Sequence, residues 1–188
     1  MTKLSSYINV LHPNKLDVFL KDEQKVDLKF LALNIFLTLV FTLFSQLYSA
    51  ATSTQAKFSL FSVIWSAIGF FLFCYVLNFI AIRFGSKENL IRLCYLLSIL
   101  GVATNLLVAP FYLVIPRADS KFLILGCVLF IPLLLIVLYS LYRNYQIFCS
   151  LYPEIKGGDR YIVYGLSLGV LFFISLGTLL LFPGLLIF

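Results

Sequence analysis

The sequence predicts an all-α integral membrane protein, a bundle of five transmembrane helices preceded by short amphipathic N-terminal helices. Three observations carry that reading. First, 62% of the 188 residues are hydrophobic, 12% are charged, and the mean hydropathy is +1.03; a soluble domain is about 45–50% apolar and about 25% charged. Second, five apolar runs, each long enough to cross a bilayer, are separated by short polar or charged links. Third, Lys and Arg are shared unevenly. Eleven lie in the start, the 83–92 corner and the 143–160 link, and three (Lys57, Arg117, Lys121) lie on the alternate links. This bias places the N-terminus in the cytoplasm and the C-terminus on the opposite side, in the plasma (inner) membrane if the source is prokaryotic.

Residues 1–27 form a cytoplasmic N-terminal segment, and 28–188 form the membrane domain. Leu4, Tyr7, Ile8 and Leu11 share one helical face, and Pro13 punctuates the pattern. Leu16, Phe19 and Leu20 share a second face, opposite Lys15, Asp17 and Asp22. Two short helices are expected, either lying on the membrane surface or packed on the bundle. No cleavable signal peptide is visible in Met1–Asn14, so the first span is expected to target the chain.

The spans are expected at about 28–48, 58–84, 90–115, 122–142 and 161–182. The first, at about 1.5 Å per residue, is about 31 Å long and matches a hydrocarbon core. In the second, Ser59, Ser62, Ser66 and Gly69 mark a small-residue face suited to close helix contact. The third carries Ser98, Gly101, Thr104 and Asn105 on its inner side, with a kink expected at Pro110. The fourth contains Pro132, and the stripe Leu141, Tyr145, Phe148, Tyr152 carries its helix on toward Pro153. In the fifth, Asp159 is expected to cap the helix, and Gly165, Gly169 and Gly177 form a G-x-x-x-G face. That face suits packing within the bundle, with a homodimer seam as the other option.

The corner 81–95 organises the chain. Gly85 is expected to take a positive φ and end the second span; Ser86 is expected to cap the third, with Glu88 in its first turn and paired to Arg92. Arg83, Lys87 and Arg92 then stand at the water boundary.

The chemistry-bearing residues are few. Cys74, Cys94, Cys127 and Cys149 form no C-x-x-C pair and read as small buried hydrophobes, with Cys149 near the boundary open to acylation. His12 is the single histidine and precedes the first span, which excludes a Ser–His dyad inside the membrane. No carboxylate lies near a span midpoint, an argument against proton-coupled transport. Asn34, Asn78 and Asn105 are the deepest strongly polar residues; they either bond between helices or line a small solute path. Lys156-Gly157-Gly158-Asp159 lacks P-loop spacing and reads as a linker. No catalytic residue, cofactor or metal site is expected. The basic charge sits beside apolar spans, so anionic lipid headgroups are the expected partner, not nucleic acid.

The five spans, the corner Phe84-Gly-Ser-Lys-Glu-Asn-Leu-Ile-Arg-Leu-Cys-Tyr95, the long fourth helix with Tyr142-Arg143, and the Gly-rich fifth helix resemble the Yip1 domain family, particularly its compact prokaryotic-type members. The resemblance implies a non-enzymatic membrane scaffold or adaptor in membrane organisation or trafficking. The acidic-aromatic cytosolic motif of eukaryotic members is missing here, which argues against Rab GTPase binding. The alternative is a small-solute channel or transporter subunit. On the scaffold reading, Arg83, Lys87, Arg92, Arg143, Tyr145, Phe148, Tyr152, Lys156 and Arg160 form a cytoplasmic face for headgroups and for a membrane-protein partner, and homo-oligomers are compatible with it.

Overall fold

The computed structural model describes residues 3–52, 60–112 and 123–181, with side chains described for 3–48, 63–111 and 129–174. The expected links around Lys57 and around Arg117 and Lys121, and the end 182–188, lie outside the described residues. So do the side chains of Ser62, Cys127 and Gly177.

Among the described residues the regular secondary structure is all helical. Two short helices, α1 (Lys3–Leu11) and α2 (Leu16–Asp22), flank a single 3-10 turn at Pro13–Lys15. Five long helices follow: α3 (Leu28–Thr52), α4 (Leu60–Arg83), α5 (Leu90–Tyr112), α6 (Leu123–Leu151) and α7 (Asp159–Leu181). Within them, Leu28–Tyr48, Val63–Arg83, Leu90–Phe111 and Leu129–Leu151 are long and apolar enough to cross a membrane, as in an integral membrane protein. The fifth expected span falls on α7.

Local chemistry explains most boundaries. Asp27 caps α3: its Oδ1 accepts from the N–H groups of Lys29 and Phe30, each at 3.1 Å. At the end of α4, Gly85 adopts φ 86°; its N–H donates to Ile82 O and the Ser86 N–H donates to Ala81 O. This is a Schellman closure, which needs the left-handed conformation that glycine takes without a Cβ penalty. It also overturns three expectations. Ser86 is consumed by the turn, its Oγ is buried without a partner, and α5 starts only at Leu90. Glu88 therefore precedes the helix, and the ion pair with Arg92 does not form. Asp159 likewise lies in the first turn of α7, where Tyr161 and Ile162 donate to Gly158 O. Pro110 and Pro132 both lie inside helices, and α6 runs on to Leu151, past the expected end at 142.

α5 is the central helix. In an apolar 18-residue stretch of it 61% of residues are buried, against 11% in that of α3, 22% in that of α4 and 11% in that of α6. It packs against α1, α3, α4 and α6, while α7 packs on α4. The buried cluster lies toward the end where α1 and α2 dock. It joins Val10, Phe19 and Phe30 to Leu77, Leu93, Tyr95, Leu96, Ile147, Phe148, Tyr152 and Val163. Elsewhere the outward faces are apolar, as in Phe36, Ile68, Leu135 and Phe172, which suits helices whose solvent is hydrocarbon.

Among the described residues, the close contacts expected at Gly69, Gly101, Gly165 and Gly169 do not form. A Cβ built on Gly69, Gly101, Gly165 or Gly169 meets no atom within 4 Å. Ser66 and Gly101 line a gap of about 50 Å³ between α3, α4 and α5. Among the described side chains of α7 the buried ones are Val163, Tyr164 and Ser167. Gly165 and Gly169 lie about 200° around the helix from Val163 and Ser167 respectively, so the G-x-x-x-G faces away from the bundle.

Candidate functional site

Among the described residues, the end of the bundle that carries α1 and α2 gathers most of the side-chain hydrogen bonds between elements. α1 docks by its polar side. Ser6, Asn9 and Val10 are buried, whereas Leu4 and Ile8 are 68% and 60% exposed. The face that periodicity marks as apolar thus points outward at Leu4 and Ile8. α2 packs on the bundle by the face that periodicity marks, with Phe19 buried and Leu16 and Leu20 packed beside it.

Two linked networks hold the segment. The Ser6 hydroxyl donates to Glu23 Oε1 and the Tyr95 hydroxyl donates to Glu23 Oε2. Beside them, the Tyr7 hydroxyl donates to Asn34 Oδ1 at 2.5 Å, and Asn34 Nδ2 donates to Ser98 Oγ at 3.3 Å. The Phe30 ring lies between the rings of Tyr7 and Tyr95, with centroids at 5.7 and 6.2 Å. Lys3 closes the edge, 3.2 Å from Asp27 and 4.5 Å from the Phe30 ring centroid. The cap bond from Phe30 N–H and the neighbouring Lys3 ammonium hold the Asp27 carboxyl below its ordinary range. Burial pushes the Tyr7 phenol up, so it stays a neutral donor.

Arg143 is the largest fully buried side chain and holds the other end of α1. Its Nε donates to Val10 O at 2.8 Å, Nη2 to His12 O at 3.2 Å, and Nη1 to Gln146 Oε1 at 2.7 Å. The Tyr139 hydroxyl donates to Leu11 O at 2.6 Å. A helix C-terminus carries unpaired carbonyls and partial negative charge, and a guanidinium satisfies both. His12 Nδ1 accepts from Asn14 N–H at 3.3 Å, which makes the single histidine a cap of the 3-10 turn.

A third junction ties the corner to α6. Asn78 Oδ1 accepts from Asn89 N–H at 3.0 Å and from the Tyr152 hydroxyl at 2.7 Å; Asn89 Nδ2 donates to Leu151 O at 3.2 Å. Burial pushes the Tyr152 phenol up, which keeps it protonated as that donor.

The expected docking face therefore divides. Arg143, Phe148 and Tyr152 are buried and belong to the core. Tyr145 stacks on Tyr161 at 5.4 Å, and Phe148 packs on Tyr164 at 5.9 Å, so the aromatic stripe joins α6 to α7. Arg160 is half-buried, its Nε donating to Ile155 O at 2.6 Å. Arg92 is half-buried too, with Nε unpartnered. Arg83, Lys87 and Lys156 are exposed, as are Lys15, Lys21, Lys25 and Lys29 of the docked segment and its junction with α3. Arg83 lies 5.2 Å from the Phe79 ring centroid. Asn34 and Asn78 are committed to bonds between elements and do not line a path. Asn105 is half-buried beside Gln46, in a cleft between α3 and α5. Cys74 and Cys94 are buried, and Cys149 is packed against the core. Among the described residues no group of three or more His, Cys, Asp or Glu residues could hold a metal ion.

Sequence reasoning missed Ser6, Glu23, Tyr95 and Tyr139. The one available signal was an acidic residue, Glu23, just ahead of the first span. Comparison with protein-family models, with curated proteins and with solved structures finds no match.

Proposed function

We propose that the chain is a non-enzymatic, multi-pass membrane scaffold or adaptor, similar in type to Yip1 domain proteins and acting in membrane organisation or trafficking. On this reading α7 is the fifth span, the N-terminus is cytoplasmic, and the docked segment forms the working face. One observation carries the proposal: α1 spends its polar side on the bundle and turns Leu4 and Ile8 outward, in a segment that also exposes Lys15 and Lys21. Outward apolar side chains together with the exposed Lys15, Lys21, Lys25, Lys29, Lys87 and Lys156 suit the headgroup layer of an anionic membrane. Each well-placed cation there contributes about 1 kcal/mol. The membrane-protein partner would meet the same face, where Arg83 and Lys87 leave the corner exposed.

Reporter fusions test the topology: positions Lys57 and Phe188 should read external, Lys87 and Gly157 cytoplasmic. A cytoplasmic reading at Phe188 would overturn it. The face is tested by Lys87→Gln with Lys156→Gln, and separately by Leu4→Ser with Ile8→Ser, after insertion has been checked. Both sets should weaken association with anionic vesicles and reduce crosslinks to neighbouring membrane proteins. Unchanged association and an unchanged crosslink pattern in both sets would refute the proposed face.

A further inference from the structure

The cleft between α3 and α5 lies at the opposite end of the molecule from the docked segment. It is lined by Phe41, Thr42, Phe44, Ser45 and Gln46 of α3 and by Asn105 and Ala109 of α5, and its volume is about 200 Å³. Counted from Leu28 and Leu90, these residues stand about 20–29 Å along their helices. They are therefore near the far end of both spans.

Its polar groups differ from the others in the bundle. Asn34 and Asn78 are bonded and Thr104 is bonded to Ser140 at 3.0 Å; within the cleft itself Thr42 donates to its own helix at Thr38 O. Gln46, Asn105 and Ser45 have no hydrogen-bond partner among the described residues. Two carboxamides from two helices thus face one space, each with two donors and two acceptor lone pairs unused. Both amides are only half-buried and open to the cleft, so the space suits an occupant that both donates and accepts.

The lining also selects the chemistry of that occupant. Among the described residues no charged side chain lines the cleft, so these residues favour an uncharged occupant over an ionic one. Hydroxyl groups both donate and accept, and carboxamides bind them in pairs. Phe41 and Phe44 add apolar ring surface for C–H groups. The space equals about seven waters of liquid volume, the scale of a small polyol or a single sugar ring. The geometry points to a binding site for an uncharged, hydroxyl-rich group, either the sugar of a neutral glycolipid or a free sugar or polyol. Gln46 and Asn105 are the recognising residues, and Ala109 leaves the room.

The test uses the full chain in phosphatidylcholine nanodiscs. One arm adds a minority of monoglucosyl-diacylglycerol and counts retained lipid by native mass spectrometry. The other adds free glucose and reads saturation-transfer NMR. Gln46→Leu and Asn105→Leu keep the volume and remove the amides; Ala109→Phe fills the cleft and keeps both amides. Circular dichroism confirms that each variant is folded, and a variant that fails this check is replaced by Gln46→Met or Asn105→Val. Each lost hydrogen bond should lower binding about tenfold, and Ala109→Phe should abolish it. Loss in the glycolipid arm identifies a lipid ligand, and loss in the glucose arm a soluble one. Binding in neither arm, or binding that all three variants retain, overturns the site and leaves only water in the cleft.

Discussion

Replacing Arg143 with methionine tests the reading of α1 as part of the fold. The wild-type guanidinium is 1% exposed and donates to two carbonyls at the end of α1, Val10 O at 2.8 Å and His12 O at 3.2 Å. Methionine is long and flexible enough to fill much of the volume, so the loss is mainly of hydrogen bonds. A bond from a charged donor contributes about 1.5–3 kcal/mol. The longer His12 bond belongs at the low end of that range. The two bonds together give about 3–5 kcal/mol, and relief of the buried charge's desolvation offsets part of it. A net loss of about 3 kcal/mol remains, which corresponds to about a hundredfold rise in the opening of α1.

Hydrogen–deuterium exchange in nanodiscs reads this directly. Amides of α1 and of the 3-10 turn should exchange about a hundredfold faster in Arg143→Met, while those of α4 and α7 stay protected. Arg143→Lys keeps a cation but loses the planar fork that reaches Val10 and His12 together, so it should recover only part of the protection. If α1 exchange in Arg143→Met matches the wild type, these bonds do not hold the segment. If Arg143→Lys restores full protection, charge alone suffices and the fork geometry is irrelevant.

Two further predictions concern the other junctions. Asn78→Leu strands the Asn89 N–H and the Tyr152 hydroxyl and should cost about 2–4 kcal/mol, read as a lower thermal midpoint in detergent. Adding Tyr152→Phe should recover part of that loss, because one stranded donor is then gone. At Asp27 the folded carboxyl titrates below its ordinary value, so its contribution is complete above the unfolded pKa and is lost as pH falls through the depressed one. Protease cleavage within residues 3–22 should therefore increase as pH falls below about 4, and Asp27→Asn should flatten that response.

The five long helices were legible because apolar runs and charged links set their number and rough limits. The Gly85 turn was legible because few residues tolerate its conformation. The overrun of α6 was written in its aromatic stripe. The facing of the elements was not legible. Periodicity states that Leu4 and Ile8 share a side; it does not state which side meets protein when the surroundings are also apolar. The same ambiguity sent Gly165 and Gly169 outward. Arg143 near a helix end reads as a topology signal, and only the carbonyls of α1, more than 130 residues earlier in sequence, make it a core residue. The Glu23 cluster depends on Ser6 and Tyr95, two ordinary residues without a motif.

Glu23 and Arg143 are both buried, and neither forms an ion pair among the described residues. Each is held by neutral groups instead, Glu23 by two hydroxyls and Arg143 by carbonyls and an amide. The two sites differ in what a neutral replacement can do. A hydroxyl both donates and accepts, so Ser6 and Tyr95 can turn to suit a glutamine, one bonding its carbonyl and one its amide. The α1 carbonyls can only accept, so Arg143 has no neutral substitute with donors at the same reach. Glu23→Gln should therefore leave the exchange of α1 and α2 nearly unchanged, since removing a buried acidic group also removes its desolvation cost. Glu23→Leu should open both helices, because two buried hydroxyls lose their partner at about 1–3 kcal/mol each. Loosening by Glu23→Gln equal to that by Glu23→Leu would show that the acidic group itself, and not hydrogen-bond capacity, holds the segment in place.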